Sequence, residues 1–562
     1  MRSTARILRF PREGVSAPPQ NWWERLPAVA ALIFVALLLT HLPLLSLPYF
    51  WDEAGYYIPA ARDLFLQGRL IPDSTLTNAH PPLLMAWLAL AWKMFGYHAV
   101  VTRVAMLLVS AFTLTGVYRL AKHVSNPLVA TGATIATAVF PVFFAQSSLA
   151  HLDLAVAGFT VWGMCAYVAG RGRSTAIWFA LAALSKETAI LAPLALLAWE
   201  LLGLVVAKPW FQFRASFSRA LWLLLPVVPL GLWFAYHYRV TGFVFGNPEF
   251  LRYNLGATLH PVRVLAAFAQ RLWQLFGYMN LFALTIVTAL AMSRKPLTIG
   301  NVPQNGHGNP ATQRPRIAIP VQMTFAAVIV AYVLALSVVG GAVLARYLLP
   351  AYPLVTIICV STIWRRLPMW HAFLGVVCLS FVLALLFNPP YHFAPEDNLD
   401  YADFVRLHQQ GAQYLESHPP GGRVLTAWPA SDELTKPYLG YVQKPVHIVS
   451  IEDFSAEQIL AARDQAELYD TAFLFSTKYE PGGGFLIRLP YWRQLQQRYF
   501  DYHEDVSPTA AATLLGGNIV WEQHRGGQWA AILQFDRAVN ANLTAPPLSP
   551  FSPTSWPSKI SP

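Results

Sequence analysis

Charge is scarce in this chain. Asp, Glu, Lys and Arg make up 12% of its 562 residues, about half of the roughly 25% found in ordinary soluble domains. With 55% hydrophobic residues and a mean hydropathy of +0.41, the expected solvent is a lipid bilayer. The net charge of +11 does not point to nucleic acid, because Lys and Arg fall in short groups between apolar runs, where they orient helices in a membrane. Cysteine is also sparse: Cys165, Cys359 and Cys378 all lie inside apolar runs. That placement argues against a disulfide framework or a Cys-based metal site. A cleavable signal peptide is not expected either. Arg2, Arg6, Arg9, Arg12 and Arg25 precede an apolar run from Pro27 to about Leu47, which is longer than a signal core and lacks a small-residue cleavage site. It is long enough to remain as an anchor, with Trp22 and Trp23 at the inner interface.

Further spans are expected near residues 100–121, 126–146, 149–169, 174–187, 188–206, 218–238, 266–292, 318–339, 347–363 and 368–388, about eleven with the first. With the amino terminus inside, the basic groups at 119–122, 171–173, 208–219, 294–316 and 365–366 all fall on the cytoplasmic side, as the positive-inside rule requires. The apolar stretch 81–96 tests this assignment. Counted as a span, it would put every later basic loop outside. It is short and opens with Pro81-Pro82, so a helix lying along the outer interface is expected instead.

Beyond about Phe387 the composition becomes ordinarily polar, opening with Asn388-Pro389-Pro390. Expected strands at 423–427, 446–450 and 471–475 alternate with expected helices at 402–417 and 456–468, a pattern that predicts a small α/β domain. The organisation read from sequence is a basic cytoplasmic segment (1–26), a transmembrane domain (27–388) whose first outer loop (49–99) carries interfacial helices, a periplasmic α/β domain (389–544) and a Pro- and Ser-rich disordered tail (545–562). A flexible cytoplasmic loop is expected at 300–315.

Charged groups at the edge of a span are costly, so each invites a functional reading beside a plainer one. The first loop begins Trp51-Asp52-Glu53 and continues to Asn78-Ala79-His80-Pro81-Pro82. Asp52 and Glu53 read either as a helix cap or as a catalytic pair, with Asp52 as general base for an acceptor hydroxyl and Glu53 binding sugar hydroxyls or a cation. By parity, His151-Leu152-Asp153 shares that face, as interfacial groups or as a second acidic contribution to the site. Glu53, His80 and Asp153, with His151, are the candidates for a divalent metal ion, although no tight ligand spacing supports one. Lys186-Glu187 marks a solvated turn or supplies a phosphate ligand. Arg346-Tyr347 reads as snorkelling to headgroups or as a partner of Lys186 around a phosphodiester. The loop 238–261, with Asn247, Glu249, Arg252, Tyr253, Asn254 and His260, suits carbohydrate or lipid contact, without a catalytic assignment.

Trp51-Asp52-Glu53, His80-Pro81-Pro82-Leu83, His151-Leu152-Asp153, Ser185-Lys186-Glu187 and Arg346-Tyr347-Leu348-Leu349-Pro350, in that order, resemble the GT-C superfamily of polyprenyl-phosphate-dependent glycosyltransferases. The resemblance is to the branch of protein O-mannosyltransferases and lipid A aminoarabinose transferases, over most of residues 27–390. It implies a polytopic α-helical fold and a polyprenyl-phosphate-linked sugar reaching the site laterally from the bilayer. It further implies Asp52 in the catalytic role, with Asp153 beside it, Lys186 and Arg346 near the donor phosphate, and inversion at the anomeric carbon. Glu53, His80, His151, Glu187 and Tyr347 are the expected substrate contacts. One departure is plain: protein mannosyltransferases continue His-Pro-Pro-Leu with Gly-Lys, whereas Leu84-Met85 follows here. Donor sugar and acceptor, whether glycan, lipid or protein, therefore do not carry over, and metal dependence is left open. The basic loops and low cysteine content suit a bacterial inner membrane. The rival readings are a transporter or lipid flippase, which predicts internal repeats and mid-membrane charges, and a noncatalytic scaffold.

Overall fold

A computed structural model describes residues 25–206, 213–246, 258–299, 312–479, 490–500 and 502–536. The arginines before Arg25, Trp22 and Trp23, the 300–311 part of the loop expected to be flexible, Asn247, Glu249, Arg252, Tyr253 and Asn254, and the tail beyond 536 lie outside the described residues.

Apolar helices occupy each stretch that the hydropathy marks. Among the described residues, five are long and apolar enough, by length and composition, to cross a membrane: Leu26–Leu44, Ala99–Val124, Ser218–Thr241, Pro261–Met292 and Ile319–Val338. Burial separates rim from centre. The apolar window of Leu26–Leu44 is 11% buried within the protein and that of Ala99–Val124 is 67% buried, so the first faces lipid and the second forms the middle of the bundle. Several expected spans are broken. Residues 126–146 form Pro127–Val139 and Pro141–Gln146, because Pro141 cannot continue the first helix. Asn126 opens this pair by accepting from the Val129 amide at 3.1 Å, with Pro127 in the first turn. The helix expected to begin near 266 begins at Pro261 and breaks after Phe276, where Met279 and Asn280 take positive φ values of 46° and 63°. Tyr391 accepts from the freed Met279 amide at 2.9 Å. The helix expected at 347 starts at Tyr352; Arg346 and Tyr347 precede it on a single 3-10 turn, Ala345–Leu348. The stretch 81–96 forms one helix, Leu83–Phe95, about 20 Å long at 1.5 Å per residue and short against a hydrocarbon core of roughly 30 Å.

The C-terminal unit is built on a five-stranded sheet in the order Ile448–Ile451, Val424–Ala427, Thr471–Phe475, Gln528–Gln534, Asn518–Arg525. The first three are mutually parallel, and Gln528–Gln534 runs antiparallel to both of its neighbours. The strand Thr471–Phe475 is buried at every position, as a central strand covered on both faces must be. Asp400–Ser417 packs on it, and Gly411 lets the Phe473 ring approach so closely that a Cβ would meet it at 2.5 Å. This unit shares a continuous apolar core with the helical bundle. Polar contacts also join them: Tyr441 donates to the Tyr49 carbonyl at 3.0 Å, and Gln146 donates to the Glu396 carbonyl at 3.1 Å.

Candidate active site

The loop after the first apolar helix turns sharply. Trp51 has φ 44°, a region that L side chains seldom take. Glu53–Tyr57 is one wide π-helical turn, a distortion frequent at functional sites. Two sequence-adjacent carboxylates are thereby sent in different directions. Asp52 lines a cavity of about 570 Å³ with its side chain 20% exposed, and it makes no capping hydrogen bond. Glu53 is fully buried. Its Oε1 accepts from Arg103 Nη1 and from the Ala150 amide, each at 2.5 Å; its Oε2 accepts from Arg103 Nη2 at 3.0 Å and the Phe50 amide at 2.8 Å. The expectation that Glu53 meets sugar hydroxyls or a cation is therefore corrected: its acceptor positions are filled by the protein. Arg103 also donates to the carbonyls of Pro48 at 2.6 Å and Ser148 at 2.9 Å. This buried pair ties the loop carrying Asp52 to the loop carrying His151.

Arg346 is the centre of the cluster, 2% exposed. It donates to Asp52 from Nη2 and to Glu396 Oε2 from Nη1 at 2.9 Å. Its Nε lies 3.5 Å from Asp153 Oδ2, and His151 Nδ1 lies 2.8 Å from Nη1. Lys186 donates to Asp153 Oδ1 at 2.7 Å, and its ammonium stands 4.0 Å from the centre of the Tyr347 ring, a cation–π contact. Local structure explains the convergence. Asp153 occupies the first turn of Leu152–Val168, where the helix dipole favours a carboxylate. Lys186 falls in extended backbone between two helical segments, so its side chain leaves the helix path. Neither cation fits the plainer readings: Lys186 is 5% exposed, no solvated turn, and buried Arg346 does not snorkel.

Asp52, Asp153, His151, Lys186, Arg346 and Tyr347 are thus brought together. His80 and Glu187 form a neighbouring pair, Nδ1 to Oε2 at 2.7 Å, with His80 on the cavity wall. The metal candidates Glu53, His80 and Asp153 do not converge. Each has another polar partner, and among the described residues no group of His, Cys, Asp or Glu is placed to hold a metal ion.

Three features escaped the sequence reading. Arg103 was legible as a lone charge inside an apolar run, a signal in its own right. Glu396 was not, because nothing in its spacing connects it to Arg346. Burial pushes its carboxyl up to about 8 against the pull of Arg346, and Asp52, Asp397 and Asp153 add to the rise. The third is the share of the cavity supplied by the C-terminal unit, through Trp428, Thr477 and Lys478. The Trp428 ring lies 5.1 Å from that of Trp51 and 5.8 Å from that of Tyr56. Gly55 makes this possible, since a Cβ there would meet the Trp428 ring at 2.7 Å.

No protein-family model matches the sequence, and no curated protein matches it. Solved structures do. ArnT from Cupriavidus metallidurans in the apo state matches with a TM-score of 0.51 at 14% identity, over 89% of this chain and 97% of that one. The same protein bound to undecaprenyl phosphate matches with a TM-score of 0.52 at 13% identity, over 90% and 97%. An oligosaccharyltransferase from Archaeoglobus fulgidus, in complex with Zn and sulfate, gives 0.46 at 12% identity, over 80% of this chain and 68% of that one. At such identities the likeness to ArnT is one of fold, and it runs through both the helical bundle and the C-terminal unit. The chain shares the fold of ArnT.

Proposed function

We propose that this protein transfers a sugar from a polyprenyl-phosphate donor to a hydroxyl-bearing glycan, lipid or protein acceptor at the outer face of a bacterial inner membrane. In this reading the amino terminus is cytoplasmic and the C-terminal unit periplasmic, as the basic loops favour. The observation that carries it is Asp52, a partly exposed carboxylate on a large cavity, held by a buried guanidinium among further carboxyls. The ArnT structure with undecaprenyl phosphate supports a lipid-phosphate donor.

The proposed step is a single inverting displacement. The acceptor oxygen attacks the anomeric carbon, its proton passes to Asp52, and the bond from that carbon to the phosphate oxygen breaks with its electron pair leaving on polyprenyl phosphate. The ion pairing gives Arg346 a timed role. Before reaction its charge is engaged by Asp52. As Asp52 takes the proton its hold on Nη2 weakens, and positive charge becomes available while negative charge grows on the departing phosphate. Such an interaction is stronger in the transition state than in the ground state, which is what accelerates a step. Lys186, held by Asp153, adds positive charge behind it. His151, Glu187 and Tyr347 position these groups, and His80 faces the sugar.

Purified protein given a labelled polyprenyl-phosphate sugar and a mixture of envelope acceptors is expected to release free polyprenyl phosphate in step with labelled product. Movement of intact lipid-linked sugar across vesicles without cleavage would instead establish a flippase. The aromatic wall makes a separate prediction. Trp428→Ala should raise KM about fivefold to tenfold, the loss of roughly 1 kcal/mol of ring contact with a sugar face, and leave kcat nearly unchanged. Trp428→Phe should restore most of the affinity in the same steady-state assay.

A further inference from the structure

One guanidinium serves two cavity carboxyls. Arg346 donates from Nη2 to Asp52 and from Nη1 to Glu396. Glu396 sits on the 3-10 turn Pro395–Asp397, between the last apolar helix and the C-terminal unit. It lines the same cavity as Asp52 and is 3% exposed. Its second oxygen, Oε1, is buried without a hydrogen-bond partner, an arrangement far more costly for an ionised carboxylate than for a neutral acid.

We propose that Glu396 is a positioning residue for the transfer, which sets the strength of Asp52 as a base through the guanidinium of Arg346 that the two share. The proposal rests on the glycosyltransferase reading. When Glu396 is neutral, Arg346 leans on Asp52 and makes it a weaker base. When Glu396 is ionised, it competes for the guanidinium and Asp52 holds a proton more strongly.

The surroundings of Glu396 make its charge variable. Facing it are Arg346 from the Ala345–Leu348 turn, Asp52 from the first loop, and Asp153 and His151 from the start of Leu152–Val168, with His151 Nδ1 at 3.9 Å. Asp397 lies on its own turn. Asp52, Asp153 and Glu396 stand against Arg346 and, through Asp153, Lys186. With all three carboxyls ionised the cluster holds more negative than positive charge, and Glu396, buried as deeply as Asp153 but without a lysine beside it, is the one that keeps a proton. The rise of Glu396 to about 8 places its ionisation just above neutral pH. The sign follows: ionisation adds negative charge beside Asp52, raises its basicity, and makes the rate climb as pH passes through about 8.

The test is the pH dependence of kcat and KM for the purified protein and Glu396→Gln, with a polyprenyl-phosphate sugar as substrate. Wild-type kcat is expected to rise about threefold between roughly pH 7 and 9, a half-slope response to a tenfold gain in basicity. Glu396→Gln should lose the rise and hold a flat kcat across the same range. Glu396→Asp should keep the rise with a displaced midpoint. Infrared spectra should show a protonated carboxyl band at neutral pH that fades on alkalinisation and is missing from Glu396→Gln. A Glu396→Gln profile that still climbs, a uniform loss of rate at every pH, or an unchanged band overturns the role of Glu396. Wild-type protein that cleaves no lipid-phosphate sugar overturns the glycosyltransferase reading itself, whichever form the carboxyl band takes.

Discussion

Asp52→Asn should lower kcat by about a hundredfold to ten-thousandfold, the range over which a positioned general base contributes, with little change in folded yield. Asn is nearly isosteric and can still accept a hydrogen bond from Arg346, so the geometry of the cluster is kept while the proton acceptor is removed. Arg346 would retain the Asp153 carboxylate at 3.5 Å and the hydrogen bond to Glu396 at 2.9 Å, so the buried guanidinium keeps one carboxylate and one neutral acceptor. Binding of lipid phosphate should persist or tighten, since Asp52 would no longer compete for Arg346 Nη2. Measurement of kcat together with the affinity for unreactive polyprenyl phosphate separates these effects. Full activity in the variant would remove Asp52 from the chemistry.

Glu53→Gln, one residue away, should fail in a different manner. Glu53 is the carboxylate that compensates Arg103, and both are buried from solvent, at 0% and 1% exposure. Neutralising it strands a buried guanidinium, which typically costs about 3–5 kcal/mol. The expected result is a strongly lowered thermal midpoint in detergent, and loss of transfer because the loops carrying Asp52 and His151 are no longer joined. The double variant Glu53→Gln, Arg103→Met should regain much of that stability, because it removes the stranded charge and leaves the Gln oxygen to accept from one of the two amides, Ala150 or Phe50. A single variant as stable as wild type would show that the pair is not needed for folding. Asp52→Asn then loses rate with the fold intact, and Glu53→Gln loses the fold first.

Much of the architecture was legible without coordinates, because a bilayer makes hydropathy decisive. The apolar runs locate the helices within a few residues, and the strand at 471–475 was placed to the residue. Where expectation and structure part, a local backbone event is responsible. Pro141 divides one helix, positive φ values at Met279 and Asn280 divide another, and a 3-10 turn delays the helix after Arg346. Of these only the proline was visible as a residue type. The departure of Leu84-Met85 from the Gly-Lys continuation was also legible. Its consequence for the donor sugar is a question for the assay.

The sequence alone determined which chemistry-bearing residues were available: Asp52, Asp153, Lys186 and Arg346 stand out as charges at the ends of apolar runs, where a charge is costly enough to need a reason. Their pairing was decided by tertiary structure. Asp52 and Arg346 are 294 positions apart, and no periodicity reaches across such a distance. That Asp52 lines the cavity while neighbouring Glu53 is buried against Arg103 depended on a positive φ at Trp51 and a wide turn after it, neither of which hydropathy encodes. Trp428 enters the cavity because the C-terminal unit packs onto the first loop, with Gly55 leaving room for the ring, and Glu396 reaches it from the turn before that unit. Lys186 and Arg346, read as two cations for one phosphate, proved to be engaged by Asp153, Asp52 and Glu396. Buried charges in a low-dielectric interior settle against one another before any ligand arrives, and that mutual compensation exists only once the chain has brought them together.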